Sequence, residues 1–119
     1  MNKTALLRGY AIFMLLFIAG WWPLSHWFYA DWYHSLLGFA GYDDGLVKVI
    51  GTMGIFPLAL LAMTAKNPAA SRPYLTIFMI WSVGMIGTYL YLIGTGAFPD
   101  HEYLNVGLLV GNFAVMAGL

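Results

Sequence analysis

The chain has 119 residues, 61% of them hydrophobic and 8% charged, whereas a soluble domain carries roughly a quarter charged residues, so too few ionisable groups remain to clothe a water-facing surface. A formal net charge of zero leaves no basic field, which excludes nucleic acid as a partner. Cysteine is absent, which removes disulfides, thiolate nucleophiles, Cys-ligated zinc and Cys-ligated iron–sulfur clusters together.

Met1-Asn2-Lys3-Thr4 and the apolar run after it, which carries Arg8, resemble a secretory leader. The run 5–22 nevertheless ends in Trp21-Trp22-Pro23 with no small-residue cleavage site, and it reads as a retained first membrane span. The connection from Pro23 to Gly45 holds Trp27, Phe28, Tyr29, Trp32, Tyr33, Phe39 and Tyr42 among a few polar residues. Such rings gather at the headgroup level, where one side is apolar and the other wet, so this segment is expected as a short helix or re-entrant turn along the outer surface.

A second span covers 46–65, between Asp43-Asp44 and Lys66-Asn67-Pro68. Gly51 and Gly54 suit it to close packing, and Pro57 should bend it, because proline removes the N–H that would bond to the Met53 carbonyl. Asn67-Pro68 and Arg72-Pro73 mark a short turn, which predicts a tight antiparallel hairpin of spans two and three. The third span, 74–97, lies between Pro73 and Pro99 without a charged residue. The fourth, 103–119, opens after Asp100-His101-Glu102 and stops inside an apolar run, so a longer natural chain is expected. The fold class expected is all-α: one transmembrane domain over 1–119, an integral membrane four-helix bundle with an aromatic outer interfacial segment between spans one and two.

Lys3, Arg8, Lys66 and Arg72 fall at the N-terminus and in the turn after span two, so the positive-inside rule predicts a multi-pass protein with both termini cytoplasmic. Asp31, Asp43, Asp44, Asp100 and Glu102 all fall in the other two connections, in agreement with that orientation. Lys48 alone is on the acidic side, four residues after Asp44, where it can pair with that carboxylate or extend to the interface.

The chemistry-bearing residues are few. His26, His34 and His101 are the only imidazoles, all on the expected outer side near Asp31, Asp100 and Glu102, and they are the candidate metal ligands. Their spacing lacks the i, i+3 or i, i+4 relation of a helical metal site, and wet histidines that cap or bond locally are the competing reading. No span contains a histidine, so haem or chlorophyll held between spans is not expected, and no motif indicates any specific cofactor. A proton-coupled exporter would need an ionisable group at bilayer depth, and the spans have none near mid-membrane. Neither a phosphate loop nor a nucleophile elbow occurs, and no catalytic residue is assigned.

Packing signals are richer. Gly107 and Gly111 form a G-x-x-x-G pair that Gly118 continues along one face of span four, and Gly84 and Gly87, beside Thr88, repeat the small-residue theme in span three. Asn105 and Asn112 align on another face of span four, where each amide needs a partner because lipid offers none. Another helix of the same chain is the expected partner, ahead of a second protein.

An early Pro with an aromatic outer segment, a glycine-bearing second span, an Asn-Pro and Arg turn and a Gly-rich third span together resemble the small four-helix DoxX-like membrane proteins. That likeness implies a fold and carries no functional residue across. The function expected from chemical poverty and abundant contact faces is a non-catalytic accessory or structural subunit of a larger membrane complex of respiratory, photosynthetic or oxygenase type, with the lipid bilayer and other membrane subunits as partners. One alternative is a small carrier or quinone- or lipid-binding protein with a cavity beside Pro57 and the span-three glycines. Another is a metal or redox site at the three histidines.

Overall fold

The computed structural model describes residues 2–119, and among them it contains helices and turns and no strand. Helix α1 (Lys3–Trp21) starts at Asn2, whose side chain accepts from the Thr4 N–H at 2.9 Å and so satisfies one of the orphan donors of the first turn. It is followed almost without a gap by α2 (Pro23–Phe28), Trp22 forming the joint and Pro23 standing at a first-turn position where no N–H is needed. Helix α3 (Ala30–Leu36) completes the outer segment, which is therefore two short helices.

The second apolar stretch is divided at Gly54 into α4 (Asp44–Met53) and α5 (Ile55–Lys66). Pro57 takes the third position of α5, inside the first turn, where the helix has no internal acceptor for an N–H. The bend expected from the proline is thus made at the glycine before it. A 3-10 turn over Pro68–Ala70 leads into α6 (Arg72–Gly94), and α5 packs against α6 as the hairpin reading requires. A second 3-10 turn, Asp100–Glu102, precedes α7 (Tyr103–Gly118).

Three stretches are long and apolar enough to cross a membrane: Lys3–Phe28, Asp44–Lys66 and Arg72–Gly94. Helix α7 has 16 residues, a rise of about 24 Å, which is short of the roughly 30 Å hydrocarbon core. These stretches are compatible with a multi-pass membrane protein. The outside of the fold is correspondingly apolar, with Phe13, Leu16, Ile80 and Tyr91 each at least 60% exposed.

Ala11 and Met14 of α1, Leu60 and Leu61 of α5, Phe78 of α6 and Met116 of α7 form one buried cluster. Hydroxyls that face apolar surroundings bond to the carbonyl four residues back, as Thr64 does to Leu60 and Ser82 to Phe78, so no donor is left in hydrocarbon. At one end of the fold Arg8 Nε donates to the Ala65 carbonyl at 3.0 Å, filling one of the free acceptors at the end of α5. At the other end Lys48 pairs with Asp44 at 2.8 Å.

Close approach of helices occurs where α2 crosses α4. A Cβ on Gly51 would lie 2.7 Å from the His26 Cβ, and one on Gly54 would lie 2.7 Å from the Pro23 ring. The other glycine faces behave differently. Around Gly84, Gly87, Gly107, Gly111 and Gly118 an added Cβ would meet nothing within 4 Å. The buried face of α7 is the one carrying Asn105, Asn112 and Met116, so its glycines are turned away from the rest of the chain.

Candidate functional site

Between α1, α6 and α7, capped by α2 and α3, lies a cavity of about 120 Å³. Its walls are apolar and aromatic: Met14 and Ile18 from α1, Phe78 and Met85 from α6, and Leu108 and Leu109 from α7, with Trp21, Trp22 and Trp81 around them. Trp22 and Trp81 stack with centroids 5.8 Å apart, and Trp21 meets Tyr33 edge to face at 5.2 Å. Neither Pro57 nor a glycine of α6 is among the cavity's lining residues. The space forms because α1 meets α7 through long side chains rather than through close backbones.

Those side chains are the two asparagines and their partners. Asn105 Oδ1 accepts from Trp21 Nε1 at 2.7 Å, while its Nδ2 donates to Glu102 Oε2 at 2.6 Å and to the Tyr33 hydroxyl oxygen at 3.1 Å. The Asn105 amide is therefore fully engaged, with both of its N–H bonds used. Asn112 Oδ1 accepts from the Tyr10 hydroxyl at 2.6 Å, and its Nδ2 makes no hydrogen bond to the described residues. The expectation that these amides bond to helices of the same chain is met for both.

Glu102 is buried although it stands in a turn outside the long apolar helices. Burial raises its pKa, and the hydrogen bond from Asn105, which favours the anion, offsets only part of that rise. Burial likewise pushes the Tyr33 phenol well above its ordinary value, and the nearby Glu102 carboxylate adds to the effect. Tyr42, on the outer connection, donates to Asp31 and is pushed up to about 12, mainly by that bond.

The three imidazoles do not come together as a set. His26 and His34 are buried, with ring centroids 5.7 Å apart, and each places Nδ1 against the backbone carbonyl four residues before it: Trp22 for His26 at 2.8 Å, Ala30 for His34 at 2.7 Å. His101 lies elsewhere, against Gly38; a Cβ there would be 2.9 Å from its Nδ1, and Gly38 also has a φ of 82°. Among the described residues no three His, Cys, Asp or Glu side chains are grouped to hold a metal ion. The reason is geometric, since eight residues separate two histidines whose Nδ1 atoms are already committed to their own helices. Local bonding, one of the sequence expectations, holds for His26 and His34, but in buried rather than wet positions.

The outer aromatic segment divides into two faces. Phe28 and Trp32 are 77% and 55% exposed, as interfacial anchors would be, while Tyr33 is 5% exposed and belongs to the cavity. Trp21, Tyr33 and Tyr89 line the cavity, and Tyr10 and Glu102 bond to its asparagines; from sequence Tyr33 is one of the connection's aromatics and Glu102 a carboxylate near the histidines, and none of the five is expected at a cavity. A signal did exist for two of them: Tyr10, Met14, Phe17 and Trp21 fall on one face of α1 at spacings of three and four. No protein-family model, curated protein or solved structure matches the chain.

Proposed function

We propose that this chain is a multi-pass integral membrane protein, a four-helix bundle in which α7 supplies the fourth crossing, and that it binds a small apolar ligand, of quinone or lipid type, in the cavity between α1, α6 and α7. The observation that carries the reading is an aromatic cavity of about 120 Å³ bordered by unspent hydrogen-bonding groups. A dry cavity of comparable size, roughly 150 Å³, accepts a single benzene ring. Apolar walls with a few placed polar groups are the usual make-up of a small-molecule site.

In a short-chain benzoquinone titration of protein in phosphatidylcholine nanodiscs, tryptophan quenching should saturate, because Trp21, Trp22 and Trp81 line the cavity. Met85→Trp, which fills the space, should weaken that binding about tenfold. Unsaturable quenching that is identical in the variant would refute the reading.

In the membrane we place both termini in the cytoplasm. The support is charge: Lys3, Arg8, Lys66 and Arg72 share the end at which Arg8 meets Ala65, and Glu102 and Asp31 belong to the opposite one. The absence of native cysteine makes single-cysteine labelling a clean test. Labelling of a cysteine at position 69 from the outside would overturn the orientation. As to family, the DoxX-like layout remains part of the proposal for the fold and supports no activity.

A second reading, an accessory subunit of a larger membrane complex, is favoured by the uncovered glycine faces of α6 and α7. Gentle extraction from native membrane followed by mass spectrometry tests it. A chain that emerges alone and monodisperse would remove it.

A further inference from the structure

The cavity's polar rim has a definite donor and acceptor pattern, and that pattern selects among ligands. His26 Nδ1 sits 2.8 Å from the Trp22 carbonyl oxygen, a group that only accepts, so the ring proton is assigned to Nδ1. Ser25 fits this assignment: its single O–H is directed at the Trp21 carbonyl, 2.6 Å away, with the Trp22 carbonyl at 2.8 Å, and Oγ, 2.9 Å from Nδ1, is left as a second acceptor for the shared Nδ1 proton. In this neutral tautomer Nε2 is a bare lone pair. His26 lines the cavity, and Nε2 has no partner among the described residues.

The other rim groups complement it. Tyr33 receives the Asn105 amide on its oxygen, so its own O–H remains unspent, and its ring lies 4.9 Å from that of His26. Asn112 Nδ2 offers a further free donor on the α7 wall. Among the described residues no buried side-chain nitrogen or oxygen sealed from solvent lacks a partner, so His26 Nε2 and Asn112 Nδ2, which have none, keep accessible surface. No lysine or arginine lines the cavity, and the Glu102 carboxyl stands one hydrogen bond behind Asn105, so nothing compensates an anion.

We propose that the cavity prefers a neutral ring that carries a hydroxyl, a phenol or hydroquinone headgroup, whose O–H donates to His26 Nε2 while its oxygen accepts from the Tyr33 hydroxyl or the Asn112 amide. A ring bearing only carbonyl or ether oxygens would set a lone pair against that of Nε2 and leave it unpaired, and a site built to bond a hydroxyl discriminates strongly against the analogue without one. The inference rests on the ligand-cavity reading above and narrows it to one headgroup chemistry. No covalent or redox step is involved.

The test compares 4-hexylphenol with its methyl ether, 4-hexylanisole, by calorimetric titration of the full chain in phosphatidylcholine nanodiscs, with empty nanodiscs as the blank. The two probes share ring, tail and partitioning site and differ in the donated proton. The expected result is saturable binding of both, with the phenol about tenfold tighter, and with that preference lost in His26→Phe. Should the variant fail to fold, nitrogen-15 spectra of the histidine-labelled native protein provide the second measurement: the His26 Nε2 resonance should move on adding the phenol and stay in place with the ether. Equal affinity for the two probes, or an unmoved Nε2, overturns the hydroxyl preference and leaves the cavity reading intact. Absence of saturable binding by either probe overturns both.

Discussion

Replacing Asn105 by leucine keeps the side-chain volume close to native and deletes three hydrogen bonds at once, to Trp21, Tyr33 and Glu102. Interhelical hydrogen bonds within membranes average about 0.6 kcal/mol each, so about 2 kcal/mol is the floor. The upper bound comes from what the substitution strands: Trp21 Nε1–H and the Glu102 carboxyl each lose a partner, at about 1–3 kcal/mol for each buried polar group left unmade. Asn105→Leu should therefore cost about 2–6 kcal/mol. Asn112→Leu removes a single bond, from Tyr10, and should cost about 1 kcal/mol. Unfolding in mixed detergent and SDS micelles, followed by tryptophan fluorescence, measures both. A leucine at position 105 that leaves stability within about 0.5 kcal/mol of native, or that costs less than the one at 112, would refute the assignment of Asn105 as the hub joining α1, α3 and α7.

Glu102 gives a pH prediction. Its pKa is raised in the folded protein, so the native state holds its proton to higher pH than the unfolded chain does. Its contribution is full below the ordinary carboxyl value of 4.5 and is lost as pH rises through the folded value, so the melting temperature should fall over that window and Glu102→Gln should flatten the profile. A native profile that rises there would contradict the burial argument. The two classes of glycine should respond oppositely to alanine. Gly51→Ala forces α2 off α4 and should cost about 1–3 kcal/mol, while Gly111→Ala meets open space and should stabilise by about 0.5–1 kcal/mol in isolated protein. Equal effects in a thermal melt would show that the α2 crossing is looser than described. Finally, the Tyr42 phenol should titrate near 12, and Asp31→Asn should return it toward 10, read as the ultraviolet phenolate signal lost in Tyr42→Phe.

Much of the architecture was legible because apolar run length and flanking charge are local properties. The three long stretches, the hairpin at Asn67-Pro68 and the Lys48–Asp44 pair follow from such signals. The site was only half legible. Asn105 and Asn112 stand out because an amide in an apolar helix demands a partner, yet the partner's identity depends on which side chains the fold brings opposite, and Tyr10 and Trp21 are 102 and 84 residues away. Glu102 read as one more loop acid because sequence does not reveal that a 3-10 turn buries it against Asn105. The glycines of the apolar stretches read alike in sequence, but Gly51 and Gly54 press on α2 while Gly84, Gly87, Gly107, Gly111 and Gly118 meet open space. Small size states what a position permits, and only the neighbours decide whether anything uses it.

The two amide bonds that join the first long helix to the last have a consequence for biogenesis. Tyr10 and Trp21 are synthesised before the residues that will satisfy them, and contacts of such long sequence separation close late. Until α7 docks, the indole and phenol donors of α1 have no protein partner on that side, and the ring-sized space lacks the wall that Asn105, Leu108, Leu109 and Asn112 supply. Docking of the last helix therefore completes the fold and adds the α7 wall of that space in a single event, so the space is widest before it.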